Sequence, residues 1–249
     1  MSIIKILGII PARYQSTRLP GKLLIPILGK TLLQRTFENA QKVTLLDHLC
    51  IATDDQRIFD HALDFNGKPI MTPDCPNGTY RLAEAIKNNQ EWLNADAIVN
   101  IQGDEPCLNP EAINQTIRLL LEDPSAQMAT LVTPIKSSEE AYSTSVVKCV
   151  MDLQDNALYF SRSLIPANHS MTYRPDITYY KHIGLYVYRP SFLLTLQNLK
   201  SSPLQIEEDL EQLKVLENGY RIKVAITDTD SIGVDREEDL IKVENWICR

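Results

Sequence analysis

At 249 residues, with 44% hydrophobic and 23% charged side chains, the chain has a soluble globular composition and enough length for a large core. Its formal net charge of -7 argues against DNA or RNA as the main partner, and no apolar run approaches the roughly 20 residues that cross a bilayer. The 5 cysteines (Cys50, Cys75, Cys107, Cys149 and Cys248) are odd in number and lack any C-x-x-C, which excludes a disulfide framework or a zinc site; Cys50 and Cys149 read as core thiols.

The apolar run Ile3–Ile10 is predicted as a strand buried on both faces. It opens into a loop carrying Arg13, Arg18 and Lys22. Thr31 to Val43 has Leu32, Leu33, Thr36, Phe37, Ala40 and Val43 at helical spacing. His48–Thr53 reads as a strand ending in Asp54-Asp55, with Asp55 capping a helix that carries Ile58, Phe59, Ala62 and Leu63 on one face. A short strand near Ile70 leads to Pro73, and Thr79 to Trp92 reads as one helix. Strand Ala95–Ile101, helix Pro110 to Leu121 and strand Met128–Ile135 follow. This alternation predicts an α/β fold with a mostly parallel, Rossmann-like sheet and helices on both faces.

The rhythm breaks near Ser137. Val146–Met151 and Ala157–Ser161 flank a turn at 152–156 and read as a β-hairpin. Tyr179–Arg189 is a further strand, Pro190 to Leu199 and Glu207 to Glu217 are helices, Tyr220–Thr227 is a strand and Glu237 to Ile247 a closing helix. No linker splits the chain, so a single domain over 1–249 is expected, with 137–189 as an inserted β-rich part. The start runs straight into a strand without a signal-peptide pattern, which favours the cytoplasm.

Three features carry chemistry. Lys5, Arg13, Arg18, Lys22, Lys30 and Arg35 all precede the first acidic residue, Glu38. A purely basic segment in an acidic chain points to one concentrated anion such as a triphosphate. The loop has Ser16, Thr17 and Gly21 beside its cations, which suits phosphate but equally a solvated basic loop. Neither G-x-G-x-x-G nor G-x-x-x-x-G-K-[ST] occurs, which excludes a Rossmann dehydrogenase and a P-loop enzyme. Asp104, in the QGDEP run Gln102–Pro106 after an apolar strand, is a candidate Mg²⁺ ligand or a turn residue. Asp235 in GVDREEDL is a second candidate, although an N-cap of the last helix is the favoured reading. His182 reads first as a hydrogen-bonded strand histidine. In such sheets ligands bind beyond the carboxyl ends of strands, where Arg13, Asp54, Pro73–Arg81 and Gln102–Pro106 all fall.

The ordered set IIPARYQSTRLPGK, PNGTYRLAEA, NIQGDEP, ALYFSR, KHIGLYVYR, LEQL and GVDREEDL resembles the 3-deoxy-manno-octulosonate (KDO) cytidylyltransferase family, also called CMP-KDO synthetases, from about Ile9 to the last helix. The resemblance implies a nucleotidyltransferase that uses CTP and KDO, releases pyrophosphate and forms CMP-KDO for lipopolysaccharide synthesis, with Mg²⁺ as cofactor. Arg13 and Lys22 would hold the CTP phosphates, Asp104 would join them in catalysis, and Ala12 and Ser16 would line the same nucleotide site. Gly78, Thr79 and Arg81 would surround the cytidine. Asp104 and Asp235 would bind the metal, and Gln102, Arg162, His182, Tyr186, Glu211 and Gln212 would line the sugar-acid pocket. It further implies a homodimer paired through the inserted part, with no nucleic acid or membrane as partner. A sialic acid or 8-amino sugar acid in place of KDO, and a catalytically inactive CTP-binding regulator, are the alternatives. The chain departs from the family pattern at Asn77 and Tyr80, where a serine and an acid are usual, and at Gln205, where an acid is usual. Tyr80 is expected to alter a charge partner of Arg81 or Arg13.

Overall fold

A computed structural model describes residues 5–16, 19–87 and 89–248. Its strands are β1 (Ile6–Ala12), β2 (Pro26–Ile27), β3 (Lys30–Thr31), β4 (His48–Thr53), β5 (Pro69–Met71), β6 (Ala97–Ile101), β7 (Met128–Pro134), β8 (Lys148–Met151), β9 (Ala157–Ser161), β10 (Tyr180–Tyr188) and β11 (Ile222–Ile226). Its helices are α1 (Leu32–Ala40), α2 (Gln56–Asp64), α3 (Gly78–Lys87), α4 (Gln90–Leu93), α5 (Pro110–Glu122), α6 (Ser138–Tyr142), α7 (Pro190–Asn198), α8 (Pro203–Glu208), α9 (Glu211–Glu217) and α10 (Glu237–Ile247).

The main sheet runs β11-β7-β10-β6-β1-β4-β5. β1 lies parallel between β4 and β6, with Ile9 opposite Cys50 on one side and Asn100 on the other. That central place explains its unbroken apolar run. Pairing continues to Ala12 opposite Thr53, two residues past the expected end, so Arg13 is the first loop residue. The residues Ile3 and Ile4 of the expected strand lie outside the described residues. α1, α2, α5 and α10 bury apolar side chains against one face; α3, α7 and α9 cover the other. Among the described residues no helix is long and apolar enough to cross a membrane.

β10 is the antiparallel exception. Most of it lies between β6 and β7 at the sheet centre, with a register shift between Ile183 and Tyr186. Its first residues, Tyr180 and Lys181, also pair with β8, and β9 pairs with β8, so the hairpin is attached to the main sheet. The hairpin tip then reaches the outer edge of β11: Val224 N donates to Asp155 O at 2.8 Å and Lys223 Nζ to Gln154 O at 2.8 Å. An exposed edge strand is thereby blunted.

Two expected helices are broken. The segment 79–92 divides because Asn89 caps a new turn, accepting from the N–H groups of Glu91 and Trp92. The segment 207–217 divides at Asp209, which takes a left-handed conformation (φ 52°) and ends α8. α6 was not expected: it is one capped turn, with Ser137 Oγ accepting from Glu140 N, too short for periodicity to register.

Candidate active site

The ends of β1, β4 and β6 open on one side of the sheet, and three loops meet there. The first, after β1, doubles back through Gly21 at φ 66°, whose N–H donates to Tyr14 O at 3.2 Å. A Cβ at Gly21 would lie 3.3 Å from the Tyr14 ring in a conformation that side chains disfavour. A cavity of about 180 Å³ opens beside this loop, lined by Ala12, Arg13, Ser16, Lys22, Gly78, Arg81, Gln102 and Asp104 together with Pro11 and Asn77. Eight residues expected at the site therefore share one cavity. Thr17 and Arg18 lie outside the described residues.

One wall is the start of α3. Asn77 Oδ1 accepts from Tyr80 N at 2.9 Å, and a Cβ at Gly78 would come within 3.1 Å of Pro11 Cγ, so the helix end packs directly on β1. Arg81 is buried; its Nη1 donates to Thr72 Oγ1 at 2.7 Å and its Nη2 pairs with Asp54 Oδ2 at 3.0 Å. It joins α3 to the ends of β4 and β5. Tyr80 turns the other way: its hydroxyl donates to Gln197 O at 2.8 Å and its ring lies 5.8 Å from Lys214 Nζ. Arg81 thus has Asp54 as its charge partner while Tyr80 faces α7, against the expectation.

At the cavity's edge, Lys22 Nζ donates to Asp104 Oδ2 at 2.5 Å and Val234 O at 2.7 Å, and lies 3.6 Å from Asp235 Oδ1. Residues 82 and 212 positions away in sequence from Lys22 meet on its one ammonium. The favoured reading of Asp235 as an N-cap is corrected: the N-cap of α10 is Arg236, and Asp239 Oδ2 accepts from the N–H groups of Asp235 and Arg236 at 3.1 and 3.0 Å. Asp235 instead faces Lys22. An ammonium between two carboxylates marks a spot where a cation is favoured, and hard oxygen donors suit Mg²⁺. Among the described residues no group of three or more His, Cys, Asp or Glu could hold a metal, so further ligands would come from phosphate oxygens and water.

A second cluster lies on the β10 face that packs against α9. Thr130 Oγ1 donates its one proton to Leu185 O at 2.7 Å, so His182 Nε2, 2.8 Å away, must be the donor to Thr130. Nδ1 then presents a lone pair. Burial pulls the His182 pKa down to about 3, and the neutral ring stands edge-on to Phe160 and tilted over Tyr186. Tyr186 OH donates to Gln212 Oε1 at 3.2 Å. Gln102 stretches across to the same strand, its Cγ 3.6 Å from where a Cβ would stand on Gly184. Glu211 bridges the two clusters, accepting from Asn77 Nδ2 at 3.2 Å and Thr79 Oγ1 at 2.8 Å. Arg162 directs Nε to Glu208 O at 2.8 Å, Nη1 to Thr144 O at 3.1 Å and Nη2 to Asp209 O at 3.3 Å. Nη2 also lies 3.9 Å from Asp209 Oδ2, and together these contacts hold the α8–α9 corner against the end of β9.

Sequence reasoning missed Asp54 as the Arg81 partner, and also Glu105, Lys181 and Asp230. Glu105 stands next to Asp104 in the QGDEP run; burial, with Asp104 adding to it, raises its pKa to about 7. Adjacency to a candidate ligand was the available signal. Cys50, Cys107 and Cys149 are pushed up to about 12 by burial, which makes them poor nucleophiles.

The chain is similar to known proteins over most of its length. Residues 7–223 match the cytidylyltransferase family model. A 3-deoxy-manno-octulosonate cytidylyltransferase of Protochlamydia amoebophila is 60% identical, with 98% of this chain and 95% of that protein covered. One from Zea mays is 48% identical over 95% of this chain and 79% of its own length. The solved structure of a CMP:2-keto-3-deoxy-manno-octonic acid synthetase complexed with CTP superposes with a TM-score of 0.90 at 37% identity, covering 98% of both chains.

Proposed function

The chain belongs to the cytidylyltransferase family, and from that premise we propose that it transfers CMP from CTP to the anomeric hydroxyl of KDO, forming CMP-KDO and releasing pyrophosphate. One observation carries the reading: the loops after β1 and β6 and the start of α3 line a single cavity, and its Lys22 and Asp104 meet Asp235, which lines the adjoining cavity.

Arg13 and Lys22 hold the CTP phosphates and stabilise the charge that grows on the leaving pyrophosphate. Ala12, Ser16, Gly78, Thr79 and Arg81 form the nucleotide side, with Arg81 acting through the buried pair that fixes its wall. Asp104 and Asp235 would hold Mg²⁺, which would supply positive charge against the phosphate and lower the pKa of a nearby hydroxyl. On the sugar side, His182 accepts a hydroxyl at Nδ1, Tyr186, Glu211, Gln212 and Gln102 fix the ring, and the Arg162 guanidinium attracts the sugar carboxylate. Displacement at phosphorus needs positioning and charge neutralisation, not a protein nucleophile, which agrees with the unreactive thiols. A homodimer paired through 137–189 is favoured by the exposed Tyr142, Leu153, Leu158, Met171 and Ile177 in that part. A cytoplasmic location goes with these substrates.

Pyrophosphate release measured with CTP, Mg²⁺ and a panel of KDO, an 8-amino sugar acid and a sialic acid tests the reading. KDO is expected to turn over fastest. Faster turnover of another acid would replace KDO as the acceptor; CTP binding without release from any of them would leave a binding protein.

A further inference from the structure

Asp104 and Asp235 reach the same lysine by different means. Asp104 follows a buried strand directly. Asp235 sits near the end of the segment 227–236, which has neither helix nor strand, so its backbone takes its place from the contacts of that segment. The segment is tied at its start by Thr227 N to Val132 O and Asn109 Nδ2 to Thr229 Oγ1, and at its end by Lys22 Nζ to Val234 O, the buried Val234 side chain and the Asp239 bonds; three further contacts fasten the stretch between. Ser231 Oγ donates to Glu105 Oε2. Val234 N donates to Asp104 O at 2.9 Å. Asp230 Oδ2 accepts from Lys181 Nζ at 2.7 Å, and Lys181 also grips Glu140 Oε1 on α6 at 2.6 Å. The fit is close: a Cβ at Gly233 would lie 2.7 Å from Glu105 Oε1, so glycine lets the segment settle onto that carboxyl. A cavity of about 590 Å³ opens beside these groups, so packed side chains do not hold the segment from that side.

We propose that Glu105 is a positioning residue that holds segment 227–236, and with it Asp235, in place to bind the divalent cation, with Lys181 as the outer anchor. Glu105 touches neither substrate nor metal; it acts through Ser231 and Gly233. The inference rests on the reading of Asp235 as a metal ligand. Residues that orient ligands from outside the first coordination shell typically change metal affinity by roughly 10–100-fold.

Calorimetry of the full chain tests it by comparing Mn²⁺-loaded CTP with metal-free CTP in chelator. Glu105→Ala is expected to weaken the Mn²⁺-loaded form by roughly 10-fold and leave metal-free CTP unchanged. Glu105→Gln, which keeps an acceptor for Ser231, is expected to restore most of the loss. Gly233→Ala, which pushes the Glu105 carboxyl aside, and Lys181→Met are expected to act in the same direction as Glu105→Ala. Equal affinity of Glu105→Ala and wild type for Mn²⁺-loaded CTP overturns the proposal, as does equal loss of both forms of CTP. Should Glu105→Ala fail to fold, Ser231→Ala removes the same bond and is read in its place. Asp235→Asn separates the two levels. If it binds Mn²⁺-loaded CTP like wild type, the metal-ligand reading itself is wrong. If it weakens that binding while Glu105→Ala does not, only the positioning role falls.

Discussion

The nucleotide side and the sugar side of the site are built by different rules. On the nucleotide side, Arg13, Asp54 and Asp104 stand just past the ends of parallel strands that pair continuously through the core. Topology alone brings them together. On the sugar side, Glu211 and Gln212 start a helix that follows a left-handed break, and reach the site only because side chains from distant elements tie that helix down. Glu208 accepts from Ser161 Oγ at 2.6 Å and Arg162 N at 2.8 Å, 47 and 46 residues earlier in the chain. Mutations on the first side should therefore remove chemistry or fold; mutations on the second should shift substrate affinity.

Asp104→Asn is the hardest test of that contrast. Pyrophosphate release should fall by roughly 10³-fold, as when a group that stabilises transition-state charge is lost, with the melting temperature nearly unchanged. Turnover near that of wild type would take Asp104 out of the mechanism. Arg81→Met comes next and should act through the fold. It leaves Asp54 without its partner beside a buried position, at a cost of about 3 kcal/mol in urea unfolding. A loss below about 1 kcal/mol would mean that Asp54 is well enough solvated to do without its partner.

The same contrast explains what could be read from the chain. The parallel half was legible because buried strands announce themselves as apolar runs and their ends carry the ligands. Arg13, Lys22, Gly78 and Asp104 fell into one cavity as expected. The break at Asp209 was not legible, because nothing in the pattern around Glu207–Glu217 reports that the Glu208 carboxylate and the carbonyls beside it are held by β9. The place of Asp235 was misread for a related reason. An acid just before a helix looks like a cap, and only the distant Lys22 and Glu105 give it another role. Tyr80 misled in the opposite direction: the motif invited a local charge argument, whereas its side chain packs on α7.

Glu208→Gln should sharpen the comparison with a smaller effect. The amide replaces one acceptor by a donor facing the Ser161 hydroxyl or the Arg162 N–H, a loss of about 1.5 kcal/mol at the corner that starts α9. The KM for the sugar acid should rise by roughly 10-fold while the KM for CTP stays unchanged. A matching rise for CTP would mean that Glu211, through Asn77 and Thr79, carries the disturbance across to the nucleotide side.

The mildest effect is on pH dependence and belongs to His182. Its folded pKa is pulled down to about 3 by burial, below the ordinary value of 6.5, so the unfolded chain takes up a proton that the folded chain refuses. Its contribution to stability is thus complete above the unfolded pKa and is lost as pH falls from about 6.5 towards 3. Between pH 7.5 and 5.5 the loss should be about 1.4 kcal/mol, read as a lower urea midpoint. His182→Gln should flatten that dependence, since glutamine does not titrate. An equal slope in the variant would assign the proton uptake to other groups, and an ionised ring in the folded state would remove the Nδ1 lone pair on which His182 depends as an acceptor for a sugar hydroxyl.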